Sequence, residues 1–172
     1  MLKIAGVILC IAGCTGYGML KIMNWKNALS ELEQWILLFQ KMKSHIYYQR
    51  DRLEEICMQL NQDMYGVGGY YVSKVGKTAL DKRSVGFAEI WKEQMERWKL
   101  ESVLPVKIKE LIFHFSDYSK EADYELQMSF LDMFISNLER EQSILEKQLQ
   151  EKRKPVMTMS VAGGLLIAIL LI

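Results

Sequence analysis

The sequence is poor in the groups that carry out chemistry. It has two histidines and three cysteines in 172 residues. His45 and His114 lie far apart, and neither stands in a metal-ligand spacing, so both are expected as helix-surface or core histidines. An odd number of cysteines gives no disulfide framework, which fits a reducing compartment. Cys10 and Cys14 fall inside an apolar run, and Cys57 lies on an apolar helical face as a small core residue would. An excess of one charge sign is lacking too. The net charge is +1, which leaves no basic field for nucleic acid. No stretch alternates polar and apolar with period two, so the expected fold class is all-α. With no base, nucleophile or metal set gathered, the chain is expected to be non-enzymatic and without a cofactor.

One near-motif tests that exclusion. VGKT, Val75 to Thr78, has the form of the end of a phosphate-binding loop, but the first glycine such a loop needs would fall at Tyr71, and no strand precedes it. Without that glycine the backbone amides cannot wrap around phosphate in the same way.

Charge is also missing from both ends. Ile4 to Leu20 and Pro155 to Ile172 carry none, and at about 17–18 residues each they sit near the lower limit for a membrane-spanning helix. The second run is the stronger, because its Val, Leu and Ile residues favour insertion by roughly 0.3–0.6 kcal/mol each. Glycines dilute the first, although Met19, Ile22 and Met23 lengthen it if Lys21 snorkels. Small residues recur every four positions in both, as Gly6, Cys10, Cys14 and Gly18 and as Ser160, Gly164 and Ala168. Such stripes let membrane helices approach closely, so these faces are expected to pack together or against a partner's helices.

The first run has an alternative. Ile11-Ala12-Gly13-Cys14 also has the form of a lipobox, behind Lys3 and a short apolar stretch, which would make the protein an acylated extracytoplasmic tether anchored at Cys14. The apolar pattern continues past Cys14 through Tyr17, Met19, Leu20, Ile22 and Met23, where a lipoprotein would turn polar. A helix accounts for more of the sequence. Two spans put both termini on one side. Lys21, Lys26, Arg140, Lys147 and the Lys152-Arg153-Lys154 cluster then place the middle in the cytoplasm. The expected organisation is a transmembrane helix over 1–23, a cytoplasmic helical bundle over 24–154 and a second transmembrane helix over 155–172.

Within the middle, Trp25, Leu29, Leu32, Ile36 and Phe39 step by four and three, forming one helix face with Glu31, Glu33, Gln34, Lys41 and Lys43 turned away. That helix is expected to reach about Tyr48. Asp51 and Glu54 resemble a capping box for a helix carrying Leu53, Ile56, Cys57 and Leu60. Gly66, Gly68 and Gly69 break the pattern up to about Arg83. Ser84 then caps a helix presenting Phe87, Ile90, Trp91, Met95 and Trp98, and Pro105 suits the first turn of one with Ile108, Leu111, Ile112 and Phe115. The last helix should run from about Ala122 to Pro155, with Leu126, Phe130, Met133, Phe134, Leu138, Leu145 and Leu149 near one side.

The order of these features resembles the stage III sporulation protein AB family over nearly the whole chain. The carriers are the opening MLKIAGVIL, LEQWILLFQKMKSHIYY, RDRLEEI, FAEIWKEQME, DYELQ, NLEREQ and the closing GGLLIAILLI. Ser44 to Tyr47 stand where the family has an EI-Y-like stretch, Ile90-Trp91 where it has an A-W pair, and Asp123, Glu125 and Gln127 in its D-x-E-x-Q stretch. The chain departs from the family at Ser116 and Lys120, where glycines are usual, and at Asn24-Trp25-Lys26-Asn27, in place of a Pro- and Arg-rich stretch.

The resemblance implies a fold like the cytoplasmic domain of type II secretion and type IV pilus platform proteins. It also implies a membrane-anchored subunit that engages the stage III sporulation protein AA ATPase, with other membrane subunits, in a channel between mother cell and developing spore. Contacts are then expected among Tyr47, Trp91 and Trp98 and the acidic patch Asp117, Glu121, Asp123 and Glu125, since aromatic groups dominate interfaces. Carboxylates at such a helix junction also suit the helix dipole with no partner involved.

Overall fold

The computed structural model describes residues 2–49, 52–60, 66–82, 85–118 and 124–171. Among them there is no strand. Seven helices follow in order: α1 (Leu2–Gln49), α2 (Leu53–Gln59), α3 (Val67–Asp81), α4 (Phe87–Glu101), α5 (Val106–Phe113), α6 (Phe115–Tyr118) and α7 (Tyr124–Leu171). They form two compact units, a terminal one of Met1–Asn27 with Ser143–Ile172 and a central one of Ala28–Gln142.

The central unit is built on α1. Leu32, Trp35, Ile36, Leu38, Phe39, Met42 and Ile46 recur at helical spacing and are all buried. Also buried are Ile90, Trp91, Met95 and Trp98 of α4, Ile108 and Ile112 of α5, Phe115 of α6, and Leu131, Phe134, Ile135 and Leu138 of α7. Rings lock the helices together in edge-to-face and tilted pairs. Trp35 lies 4.9 Å from Trp98, and Phe39 lies 4.7 Å from both Phe115 and Phe134.

The α7 stripe corrects the expectation. Leu126 and Met133 are exposed, and Leu131 and Ile135 take their places, because 131, 134, 135 and 138 form the true i, i+3, i+4, i+7 seam.

Glu31 is a second correction. Expected on the outward face, it is 9% exposed, its Oε1 accepting from Trp98 Nε1 at 3.0 Å and its Oε2 from the Val103 amide at 3.1 Å. Removing that acceptor would leave the buried Trp98 donor unpaired, at about 1–3 kcal/mol. The same turn is pinned from the other side by Lys109 Nζ, which donates to the carbonyls of Lys99 (2.9 Å) and Ser102 (2.6 Å).

The glycine-rich stretch is a helix. In α3 the residues Gly68, Tyr71, Val72, Val75, Gly76 and Ala79 are buried, and their glycines lie on the contact stripe itself. A Cβ on Gly76 would stand 2.6 Å from the Met58 amide nitrogen and 2.9 Å from the Glu54 carbonyl oxygen, so α3 lies directly on the backbone of α2. Packing at that distance outweighs the low helix propensity of glycine. The Tyr71 hydroxyl, donating to Glu101, ties α3 to α4, and that bond is the main cause holding the phenol above its ordinary range.

At the helix ends the structure shifts several boundaries. Asp51 and Ser84, the expected caps, lie outside the described residues. Arg52 precedes α2, and Pro105 stands just before α5 rather than in its first turn. The chain turns at His114, so Phe115 belongs to α6.

In the terminal unit α7 runs through Pro155, where a stop was expected because proline removes an amide donor and crowds the preceding turn. Past it the hydroxyls of Thr158 and Ser160 donate to the Lys154 and Val156 carbonyls, at 3.0 and 2.8 Å. Among the described residues no helix is long and apolar enough to cross a membrane. The side chains of most of the two apolar terminal runs lie outside those described.

Candidate partner-binding site

The last turns of α1 place Gln40, Lys43, Ser44, Tyr47 and Tyr48 at i, i+3, i+4, i+7 and i+8, on one side of the helix. The first turns of α7 place Tyr124, Glu125, Met128 and Asp132 on one side in the same way. In the central unit these nine residues line a groove of about 680 Å³. Lys43 and Asp132 form an ion pair across it, and Gln40 Nε2 donates to Glu139 Oε1 at 3.3 Å. Tyr47 and Tyr48 meet edge to face at 4.9 Å and remain 57% and 79% exposed. Large aromatic rings left in water beside carboxylates and an apolar Met128 form a surface suited to a protein partner. Among the described residues no group of three His, Cys, Asp or Glu could hold a metal ion.

Two of the residues expected at a partner contact, Tyr47 and Glu125, therefore meet in one place. Tyr48 and Tyr124 were not among those expected, although Tyr48 is the more exposed neighbour of a named tyrosine.

Trp91 and Trp98 are a correction. Both are completely buried, Trp91 Nε1 donating to the Ile112 carbonyl at 3.1 Å and Trp98 to Glu31, so they hold the bundle together and are closed to a partner. Glu121 and Asp123 lie outside the described residues.

Asp117 belongs to a different corner, where α4, α5 and α6 meet. Lys92 Nζ at 2.5 Å and His114 Nδ1 at 2.8 Å hold its carboxyl below the usual carboxylate range. A depressed carboxylate contributes stability above its ordinary value of 3.8 and loses that contribution as pH falls through the folded value. Asp117→Asn should therefore be less stable than the parent at neutral pH, with the gap in urea midpoints closing as both are taken into acid. A gap independent of pH would contradict the pairing.

Of the small residues expected to pack in the terminal unit, Gly18 and Ser160 do meet. A Cβ on Gly18 would fall 2.5 Å from Ser160 Oγ and 3.0 Å from its Cβ. The side-chain surroundings of Cys10, Cys14, Gly164 and Ala168, and of Gly6, lie outside the described residues. VGKT lies wholly inside α3, its amides engaged in helix and its glycine against α2, so no phosphate loop forms. Cys57 is fully buried, and desolvation together with the Glu54 charge pushes its thiol upward, away from nucleophilic use.

The model of the family described as stage III sporulation protein AB matches residues 3–172. The chain belongs to the stage III sporulation protein AB family. A solved structure of stage III sporulation protein AB (SpoIIIAB) is similar to it with a TM-score of 0.65 and 16% identity, covering 72% of this chain and 96% of that one. At that identity the likeness is one of fold. A comparison with curated proteins gives no match.

For this member of the stage III sporulation protein AB family, the D-x-E-x-Q stretch leads into the start of α7. Its Glu125 is exposed on the groove and its Gln127 is half-buried.

Proposed function

We propose that this chain is a non-enzymatic platform or adaptor subunit of a sporulation-specific, secretion-like membrane channel, docking a cytoplasmic secretion-type ATPase of the stage III sporulation protein AA kind. The observation that supports this most directly is the α1/α7 groove, which gathers the exposed Tyr47, Tyr48 and Glu125 in one place. Its two terminal apolar runs act as membrane spans, and the lysines and arginines beside them keep the bundle in the mother-cell cytoplasm. The approach of Gly18 to Ser160 supports packing of the two spans against each other, with other membrane subunits of the channel around them.

Capture of the purified ATPase by the full chain in neutral detergent tests the docking face. Tyr47→Ala combined with Glu125→Lys should weaken binding by about 30-fold, the loss expected of an interface anchor worth ~2 kcal/mol. Lys77→Ala, on exposed α3 surface, should leave it unchanged. Undiminished capture by the double variant would remove the groove as the docking face.

Topology is tested separately. Because Cys57 is buried, a Ser136→Cys variant supplies the exposed thiol for a membrane-impermeant maleimide. Labelling only after permeabilisation is the expected result. Labelling of intact cells would turn the bundle outward and return the lipobox at Cys14 to favour.

A further inference from the structure

The terminal unit contains an open cavity of about 620 Å³ lined by Lys26 of α1 and by Leu149, Gln150 and Lys154 of α7. Two lysines from different stretches of chain share this space, and among the described residues no carboxylate lines it. Both lysines are exposed, and two ammonium groups at one open cavity make a local positive field that attracts an anion. The position is also informative. Lys154 is the last charged residue before the uncharged C-terminal run, and Lys26 follows Trp25, whose ring has Lys21 Nζ 5.9 Å from its centroid. A tryptophan with flanking lysines beside an apolar run marks a membrane–water boundary.

We infer that this cavity is a binding site for the phosphodiester headgroup of an anionic phospholipid. The inference rests on the membrane-spanning role given under Proposed function. Lys26 and Lys154 neutralise the phosphate from two sides, the Gln150 amide donates to its oxygens, and Leu149 offers an apolar wall to the glycerol and the first acyl carbons. Basic pockets between membrane helices on the cytoplasmic side take such headgroups. The lipid would thereby join the start of one span to the end of the other.

The test uses the full chain in neutral detergent, offered phosphatidylglycerol or phosphatidylcholine and read by native mass spectrometry. The wild type should retain phosphatidylglycerol in preference, and Lys26→Gln with Lys154→Gln should reduce that retention about tenfold. Lys26→Arg with Lys154→Arg should keep it, as should Lys82→Gln, on exposed surface of the central unit. Equal retention of phosphatidylcholine, or an undiminished preference in the double glutamine variant, would overturn the site. Displacement of the lipid by millimolar inorganic phosphate would assign the cavity to a free anion and overturn the lipid identity. Alkaline extraction of membranes separates the two ideas. A chain that stays with the membrane but shows no lipid preference overturns the site alone, whereas a chain released by extraction overturns the spanning role and the site together.

Discussion

Trp91→Ala should lower the unfolding free energy of the chain by about 3–5 kcal/mol, the cost of deleting a fully buried aromatic side chain. Few positions combine so many losses. The ring is completely buried, lies 5.0 Å from Phe115, 5.9 Å from Phe87 and 6.4 Å from both Trp35 and Phe39, and donates to the Ile112 carbonyl. Its removal opens a cavity where α1, α4, α5 and α6 converge. Trp91→Phe keeps much of the volume but leaves that carbonyl without its indole partner, so a smaller loss of about 1–2 kcal/mol is expected. Urea unfolding of the full chain in neutral detergent, followed by circular dichroism, measures both. An alanine variant with an unchanged midpoint would contradict the placement of Trp91 at this junction.

The second large effect falls on a residue with no side chain. Gly76→Val should cost about 3 kcal/mol, the upper end of what overpacking does, because the atoms in the way are the backbone of Glu54, Cys57 and Met58 and cannot rotate aside. Gly76→Ala should lie between. Cys57 provides an internal reporter. In the wild type its thiol is buried and pushed upward by burial and by Glu54, so it should resist thiol reagents at neutral pH. Forcing α3 off α2 would expose it, and Gly76→Val should raise its rate of modification at least tenfold. Unchanged reactivity together with unchanged stability would show that α2 does not lie where it is described.

These two sites also show what could and could not be read from the residues. The α1 stripe was legible because Leu32, Ile36 and Phe39 recur at three and four. The α3 helix was not. Gly68, Gly69 and Gly76 act as helix breakers when judged by propensity, whereas here absence of a side chain is what lets Gly68 lie against the Trp35 ring of α1 and Gly76 against the backbone of α2. Glu31 was misplaced for a related reason. A carboxylate is ordinarily outside, and only the arrival of Trp98 and Val103, distant in sequence, gives it a reason to be buried. Trp91 and Trp98 were assigned to a partner surface because aromatic rings dominate interfaces and cores alike, and spacing alone does not separate them. At the groove, Tyr47 and Glu125 could be named individually, the first as an aromatic and the second as a member of the acidic patch. Their meeting could not be foreseen, since it depends on α7 returning to the end of α1.

That return has a kinetic side. The contacts between α1 and α7 join residues 89 apart at Lys43 and Asp132 and 109 apart at Glu33 and Gln142. On a ribosome adding about 5–20 residues per second, the α1 face bearing Phe39 waits roughly 5–20 s for the helix that covers it. Until then an uncovered strip of leucine, tryptophan and phenylalanine is available to any neighbouring nascent chain. The yield of correctly assembled protein should then depend on how the chain is shielded during synthesis as well as on the stability of the finished bundle.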